Sequence, residues 1–393
     1  MIAFQVVFWL AVLLILQTYI GYPLGIYLKS KGGTKSRFKE NISDSELPSI
    51  TVFVAAYNEE RWIARKIENA LALDYPRDLV QILVASDGST DQTVSIAKRY
   101  ANQGVEIRHN PCRAGKMALM NREIPLVQGE IVLVTDTTAQ LPRETLRLMA
   151  LNFSDPEVGC VTGPRVCLST ESSASEGEGL YWRYESWIKQ SESRLGTCLG
   201  ANGQIMAVRK SLFPYIPDIS DDFYVAMKIL IVDRAKVLFE PRAKAVIPAA
   251  ANLSTEWRRK IRTHVSFLRN LRYMGAGFNP LKSPIWWRLF SHHMLRRLVP
   301  FAMVISLVLA LLLWNQGASY RLMFAAQCLF YAAALAGFVA ERCRVHLRIL
   351  YMPFYFVFVN AAVILAWVHW MQRKDYSAWK STERILPLSP ASQ

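Results

Sequence analysis

The sequence predicts an α/β domain with a mostly parallel sheet, held between transmembrane helices. Between about Leu47 and Val246, short apolar runs alternate with segments of helical spacing, which is typical of a parallel sheet with helices on both faces. Long uncharged runs lie toward both ends of the chain. With 393 residues, of which 52% are hydrophobic and 20% charged, the chain exceeds one ordinary domain and combines soluble and membrane character.

Residues 1–28 are predicted to be a retained transmembrane helix. No charged residue occurs from Ile2 to Leu28, and about 20 residues are enough to cross a bilayer. A cleaved signal peptide is the alternative, but it would have a basic start and a shorter apolar core. The linker 29–46 contains Lys29, Lys31 and Lys39, which indicates that this end of the helix faces the cytosol.

Residues 298–371 are predicted to form about three more transmembrane helices, in the apolar runs Leu298–Trp314, Leu322–Ala340 and Ile349–Met371. The preceding segment, 281–297, has paired tryptophans beside basic residues, which predicts a helix in the membrane interface. A connector packed on the soluble domain is the alternative. The charges do not agree with this topology. Four spans would place the tail 372–393 outside the cell, but the tail begins with basic residues, which favour the cytosolic side.

The domain at 47–280 begins with elements that can be assigned in chain order. Short β-branched and apolar runs predict strands at Ser49–Ala55, Val80–Ala85, Val105–Arg108 and Glu130–Thr135. Helical spacing predicts helices at Glu60–Leu73, Thr93–Gln103 and Lys116–Val127. Gly104 is the predicted end of the second helix.

Carboxylates follow three of these strands, in the loops Ala56–Glu60, Ser86–Asp91 and Asp136–Thr138. Ligands of parallel sheets bind outside the carboxyl ends of the strands, so we expect the three loops to share one edge. Carboxylates there can accept hydrogen bonds from a nucleobase or ribose, or hold a divalent cation against a diphosphate. Helix capping is the alternative. It is favoured for Asp91, whereas a functional role is favoured for Asp87 and Asp136, which directly follow strand ends.

Composition excludes several other classes of protein. The net charge of +15 fits anionic lipid or phosphorylated substrates better than nucleic acid, because no compact basic and aromatic module occurs. The six cysteines form no CxxC pair, so neither a disulfide framework nor a zinc site is predicted. No Walker loop is present, and no GxGxxG follows the first strand, which disfavours phosphoryl transfer and a dinucleotide cofactor.

Seven motifs in this chain resemble those of family 2 inverting glycosyltransferases. They are AAYNEE at 55–60, SDGSTDQT at 86–93, GKMALMN at 115–121, VTDTT at 134–138, GANGQIMAVRKSLF at 200–213, SDDF at 220–223 and WRRKIRT at 257–263. Each motif alone is weak, but seven in the family's order are specific. The flanking helices resemble the membrane-integrated cellulose- and hyaluronan-synthase branch and its bacterial exopolysaccharide relatives. The resemblance implies a GT-A-like, Rossmann-type domain.

The resemblance also implies a role for each matching residue. Asp222, with Asp221 beside it, would be the catalytic base. Asp136 and Thr138 would hold a divalent cation, Mg²⁺ or Mn²⁺. The substrate and its nucleotide would be bound by a larger set: Ala56, Asn58, Glu59, Asp87, Lys116, Asp136, Gly203, Arg259 and Arg262.

Two departures from the family pattern bear on these roles. Thr138 stands where the family usually has a carboxylate or amide, so metal affinity is expected to be weaker. In the family's Gln-x-x-Arg-Trp motif, Arg259 replaces the Gln and Thr263 replaces the Trp. That Trp helps to seat a growing polymer, so its absence favours single or short additions.

The function implied is transfer of a sugar from a nucleotide-sugar, UDP-linked, to a lipid-linked or polysaccharide acceptor in polysaccharide or cell-envelope biosynthesis. The expected partners are donor, acceptor and lipid bilayer, with no nucleic acid. The expected location is a bacterial inner membrane, with the catalytic domain in the cytosol. A processive synthase and an inactive nucleotide-sugar- or polymer-binding subunit are the alternatives. A transporter is disfavoured, because the four apolar runs contain no carboxylate.

Overall fold

The computed structural model describes residues 1–32, 43–168, 173–217, 222–248, 253–343, 345 and 347–374. Its α-helices are α1 (Ile2–Leu16), α2 (Tyr22–Gly32), α3 (Ile63–Leu71), α4 (Thr93–Lys98), α5 (Lys116–Glu123), α6 (Thr145–Asn152), α7 (Ser173–Arg194), α8 (Asp222–Ile231), α9 (Leu253–Asn270), α10 (Trp286–Leu289), α11 (Leu295–Leu312), α12 (Ala318–Arg342) and α13 (Arg348–Met371). Its strands are β1 (Ile50–Ala56), β2 (Val80–Asp87), β3 (Val105–Asn110), β4 (Ile131–Asp136), β5 (Val158–Thr162), β6 (Arg165–Cys167), β7 (Met206–Arg209), β8 (Lys236–Phe239) and β9 (Ala245–Ile247).

The chain divides into two compact units. The sheet unit contains the described residues of 30–168 and 182–251, and the helical unit contains those of 1–29, 169–181 and 252–374. Each unit is described separately below.

The sheet unit is built on a seven-stranded sheet of order β3-β2-β1-β4-β7-β5-β8. β1 pairs in parallel with both β2 and β4, and β2 pairs in parallel with β3. β7 is antiparallel to its neighbours β4 and β5. Every residue of β1 is buried, as expected for a parallel strand covered on both faces. The predicted α/β fold with a mostly parallel sheet is therefore confirmed.

The helices of the sheet unit are shorter than the sequence predicts. α3 begins at Ile63 because a turn, closed by the hydrogen bond from Trp62 N–H to Glu59 O at 2.9 Å, precedes it. α4 ends at Lys98, and a short 3₁₀ turn continues the chain to Gly104. Gly104 has a φ of 84°, a left-handed conformation that favours glycine and ends the segment as predicted. Ile63 and Ile67 of α3 are fully buried in the core under the sheet.

Among the described residues, four helical segments are long and apolar enough to cross a membrane: Ile2–Gly32, Trp286–Leu312, Ala318–Arg342 and Ile349–Met371. They contain the four apolar runs from which spans are predicted, and that they cross a membrane stays a prediction. Large apolar side chains on them are exposed, with Leu322 at 74% and Leu329 at 73%, which suits contact with lipid.

The tryptophan-rich segment 281–297, predicted to be an interfacial helix, is helical from Trp286 onward, and its place at a membrane surface stays a prediction. Helix α10 begins at Trp286, and a π-helical turn at Phe290–Met294 connects it directly with α11. The backbone is therefore helical without a break from Trp286 to Leu312. The π turn keeps the helix continuous where the sequence pattern changes from amphipathic to apolar.

Within the helical unit, α9 packs against α13. The rings of Trp257 and Phe358 lie 5.0 Å apart. The hydroxyl of Tyr355 donates to the buried carboxylate of Glu256 at 3.3 Å. The polar residues of α9 are thus anchored to a membrane-spanning helix.

Candidate active site

The carboxyl ends of β1, β2 and β4 meet at one edge of the sheet. In the register, Ala56 lies opposite Ser86 on one side of β1, and Ala55 lies opposite Asp136 on the other. The loops that follow these strands are therefore neighbours, as expected from the sequence. The candidate site is built on this edge.

The Asp87 carboxylate fixes the start of α5. It is only 4% exposed, and its two oxygens accept the backbone N–H groups of Ala114 at 2.9 Å and Gly115 at 2.7 Å. Gly115 has a φ of 97°, which a residue with a side chain would rarely adopt. The pair of hydrogen bonds sets the direction of the helix whose first residue is Lys116.

Lys116 joins the two carboxylates that the motifs place at the centre of the chemistry. Its ammonium Nζ lies 2.9 Å from Asp136 Oδ1 and 3.9 Å from Asp222 Oδ1. The side chains of Lys116 and Asp136 are 10% and 13% exposed, whereas that of Asp222 is 26% exposed. Asp222, at the first residue of α8, is thus the most accessible of the three. Asp221 lies outside the described residues.

Gly203 leaves the space in which the Asp222 carboxylate lies. A Cβ at position 203 would be 1.7 Å from Asp222 Oδ2 and 2.1 Å from its Cγ. At Gly200, which has a φ of 101°, a Cβ would lie 2.8 Å from the ring of Phe223. The glycine-containing turn therefore packs directly on the start of α8. The sequence analysis assigns Gly203 to substrate binding, and the structure shows its contact with Asp222.

Asn58 and Glu59 connect the first and second loops. Asn58 Oδ1 accepts the backbone N–H of Thr90 at 2.8 Å, and the N–H of Glu59 donates to Thr93 Oγ1 at 2.7 Å. Asp91 accepts the N–H of Thr93, the first residue of α4, at 2.9 Å. This is the capping role favoured from the sequence. Nucleotide contacts of Asn58 and Glu59, and of the buried Ala56 beside them, stay predictions.

Two residues were given no role by the sequence analysis: Tyr57, which lies within the motif at 55–60, and Arg113, which lies just before the motif at 115–121. The guanidinium carbon of Arg113 lies 3.8 Å from the centre of the Tyr57 ring. Both side chains line a small pocket that Asp87 and Lys116 also line. Gly88 permits this, because a Cβ there would be 2.7 Å from the backbone nitrogen of Arg113. Stacked aromatic and guanidinium faces suit a planar ring such as a nucleobase. The only sequence signal for these residues is that Tyr57 lies within one motif and Arg113 lies next to another.

Asp136 and Thr138 are the residues that the sequence analysis assigns to a divalent cation, and this assignment stays a prediction. The Thr138 hydroxyl is buried and has no hydrogen-bond partner among the described residues, so it is available to a ligand. Within the described part of the chain, no group of three or more His, Cys, Asp or Glu side chains could hold a metal ion. One carboxylate and one hydroxyl fit a divalent cation whose remaining ligands come from a diphosphate and water.

Arg259 and Arg262 belong to the helical unit, on α9. Arg259 is paired with the buried carboxylate of Glu256. Their assignment to the diphosphate stays a prediction.

Comparison of the sequence with known proteins matches a family model and several curated relatives, two of which are described here. A family model described as Glycosyl transferase family 2 matches residues 51–214. Beta-monoglucosyldiacylglycerol synthase from Nostoc sp. is 29% identical over 212 residues, which cover 52% of this chain and 45% of that protein. Poly-beta-1,6-N-acetyl-D-glucosamine synthase from Staphylococcus aureus is 26% identical over 238 residues, which cover 57% and 56%. The chain thus spans about half the length of the curated relatives it matches.

Among solved structures, a mannosyltransferase from Pyrobaculum calidifontis, in complex with GDP-Man and Mn²⁺, matches with a TM-score of 0.69 and 24% identity. The match covers 94% of this chain and all of that one. At this level of identity it establishes a shared fold, the GT-A-like architecture with its added helices.

Proposed function

We propose that the protein, whose residues 51–214 match the model of Glycosyl transferase family 2, transfers a sugar from a nucleotide-sugar, UDP-linked, to a lipid-linked or saccharide acceptor. The transfer would take place at the cytosolic face of a bacterial inner membrane, and it would invert the configuration of the anomeric carbon. The exposed apolar helices and the relatives' names, which concern a glycolipid and a polysaccharide, support this proposal.

The observation that carries the proposal is the arrangement of Lys116, Asp136 and Asp222 at the carboxyl edge of the sheet. One ammonium is within 4 Å of two carboxylates, and Gly203 leaves room for the second of them. Lys116 is the first residue of α5, Asp136 is the last residue of β4, and Asp222 is the first residue of α8. Such convergence of distant segments on one edge supports a shared chemical task.

The proposed chemistry needs one base and a stabilised leaving group. An Asp222 oxygen takes the proton of the acceptor hydroxyl while that hydroxyl's oxygen forms a bond with the anomeric carbon. The bond between this carbon and the nucleoside diphosphate breaks, and its electron pair leaves with the diphosphate. Asp222 is partly exposed, so an acceptor can reach it. Lys116 holds Asp136 and Asp222 at a fixed separation and reduces the repulsion between them.

The leaving diphosphate gains negative charge as the bond breaks. We propose that Arg259 and Arg262 bind it and that Asp136 and Thr138 hold Mg²⁺ or Mn²⁺ beside it. Such a cation neutralises developing charge on phosphate oxygens when it is bound. The unpartnered Thr138 hydroxyl supports this placement.

For the acceptor, we propose single or short additions to a membrane-held molecule. Thr263 stands in place of the Trp that helps to seat a growing polymer in processive relatives. A processive synthase is the second candidate function, because the chain also matches a protein named as a polymer synthase.

The test is release of nucleoside diphosphate by the purified protein in lipid. A series of UDP- and GDP-linked sugars would be supplied with Mg²⁺ or Mn²⁺, with diacylglycerol, membrane lipid extract or short oligosaccharides as acceptor. Release with one donor and one acceptor class, together with the length of the product, would support the proposal and separate the two candidates. Nucleotide binding without release from any pair would favour a binding subunit instead.

A further inference from the structure

Lys66 is a charged side chain that the sheet unit buries completely. It lies on α3 between the core residues Ile63 and Ile67 and has an exposed fraction of 0%. An ammonium loses its hydration there, which is costly unless protein groups replace the water. Burial lowers the pKa of Lys66 to about 7, and the attraction of Asp136 acts in the opposite direction. A lysine in this environment needs a defined set of partners.

Its partners are the two ends of the turn that carries Asp136. The Lys66 ammonium donates to Thr135 Oγ1 at 3.0 Å and to the carbonyl oxygen of Ala139 at 2.6 Å. Thr135 is the residue before Asp136, and Ala139 is the residue after Thr138. The backbone closes the same turn, because the N–H of Ala139 donates to the carbonyl of Asp136 at 3.1 Å. One buried ammonium thus contacts the residues on both sides of the Asp136–Thr138 turn.

We propose that Lys66 is a positioning residue that holds the Asp136–Thr138 turn in the shape that binds the donor. The inference rests on the proposed function, since it assigns the donor's diphosphate to this turn. Lys116 contacts the Asp136 carboxylate directly, whereas Lys66 contacts the side chain of Thr135 and the carbonyl of Ala139, the residues on either side of the Asp136–Thr138 turn. Without Lys66, the carbonyl of Ala139 would lose its ammonium donor. The turn would then lose one of the hydrogen bonds that connect it with α3.

A purely structural role can be separated from this positioning role. Methionine has a similar length to lysine and suits the apolar surroundings of α3. It removes the cost of burying an ammonium, which offsets the loss of the two hydrogen bonds. We therefore expect Lys66→Met to keep its melting temperature within about 5 °C. We expect its dissociation constant for UDP, or for the diphosphate of the active donor, to rise about 10- to 100-fold, as for other supporting residues of such sites.

The experiment compares five forms of the full chain in lipid nanodiscs by displacement of a fluorescent nucleotide and by melting temperature. The first three are the wild type, Lys66→Met, and Thr135→Val, which removes one acceptor and keeps the lysine. The other two are the double variant Lys66→Met/Thr135→Val and Arg65→Met, which changes an exposed neighbour on the same helix. Thr135→Val should weaken nucleotide binding less than Lys66→Met does, and Arg65→Met should not change it. In the double variant the two effects should not add, because both act through one contact.

Weak nucleotide binding in a Lys66→Met protein that melts like the wild type would support the inference. Unchanged nucleotide binding in Lys66→Met would overturn the inference. A loss of nucleotide affinity that accompanies an equally clear fall in melting temperature would also overturn it, because it would indicate a structural role. If Lys66→Met does not fold, the test rests on Thr135→Val. Unchanged nucleotide binding by that variant would then overturn the inference. A wild-type protein that binds no nucleoside diphosphate at all would instead contradict the proposed function.

Discussion

Replacing Gly203 by alanine tests whether the position of Asp222 determines the rate. The added methyl group would lie 1.7 Å from Asp222 Oδ2 and 2.5 Å from Oδ1, well inside normal contact. The φ angle of Gly203 is not among the positive values, so alanine strains no left-handed backbone there. The substitution therefore acts through the carboxylate.

The size of the effect follows from the displacement. A normal contact needs about 3.4 Å, so the Asp222 carboxylate or the turn must move by roughly 1.5 Å or more. A misplacement of about 1 Å can cost about 100-fold in rate, which corresponds to about 2.7 kcal/mol in the barrier. We expect kcat to fall by about 100-fold or more, while the affinity for the nucleotide changes little.

The assay measures the release of nucleoside diphosphate together with nucleotide affinity. Gly275→Ala is the matched control, because a methyl group there would meet nothing within 4 Å. In the double variant Gly203→Ala/Asp222→Asn, the rate should be no lower than in Asp222→Asn alone, since both changes disable the same group. A Gly203→Ala protein with wild-type kcat would refute the reasoning, and additive losses would show that Gly203 acts elsewhere.

Two further predictions concern the diphosphate. Asp136→Ala should weaken UDP binding far more when Mg²⁺ or Mn²⁺ is present than when no divalent cation is present. If a calorimetric titration with the metal gives the same result for the variant as for the wild type, the cation binds elsewhere. Arg262→Ala should lower the rate of transfer about 10- to 100-fold with little change in protein yield, because it removes a charged contact to the leaving group; an equal fall in yield and rate would indicate a folding role.

The first half of the sheet unit could be predicted from the sequence, whereas the second half could not. β1, β2 and β4 are apolar runs separated by helical segments, so their parallel order follows from pattern alone. β7 has only four residues, and its insertion between β4 and β5 reverses the chain order across the sheet. No local pattern in such a short strand specifies its neighbours.

The candidate site could likewise be predicted from the sequence only in part. Asp87 and Asp136 could be located because they directly follow strand ends. The ion pairs of Lys116 with Asp136 and Asp222 join distant parts of the chain, so only tertiary structure reveals them. The burial of Lys66 is also not apparent in the sequence, because a lysine on an amphipathic helix is usually exposed.

The most direct test of the central claim is a comparison of turnover and donor binding in Asp222→Asn. With the active donor and acceptor in lipid, we predict that this variant binds the nucleotide-sugar like the wild type. We also predict that it releases nucleoside diphosphate about 100- to 10,000-fold more slowly, because it has no base for the acceptor hydroxyl. Normal release by a folded Asp222→Asn protein would contradict the account and remove Asp222 from the chemistry.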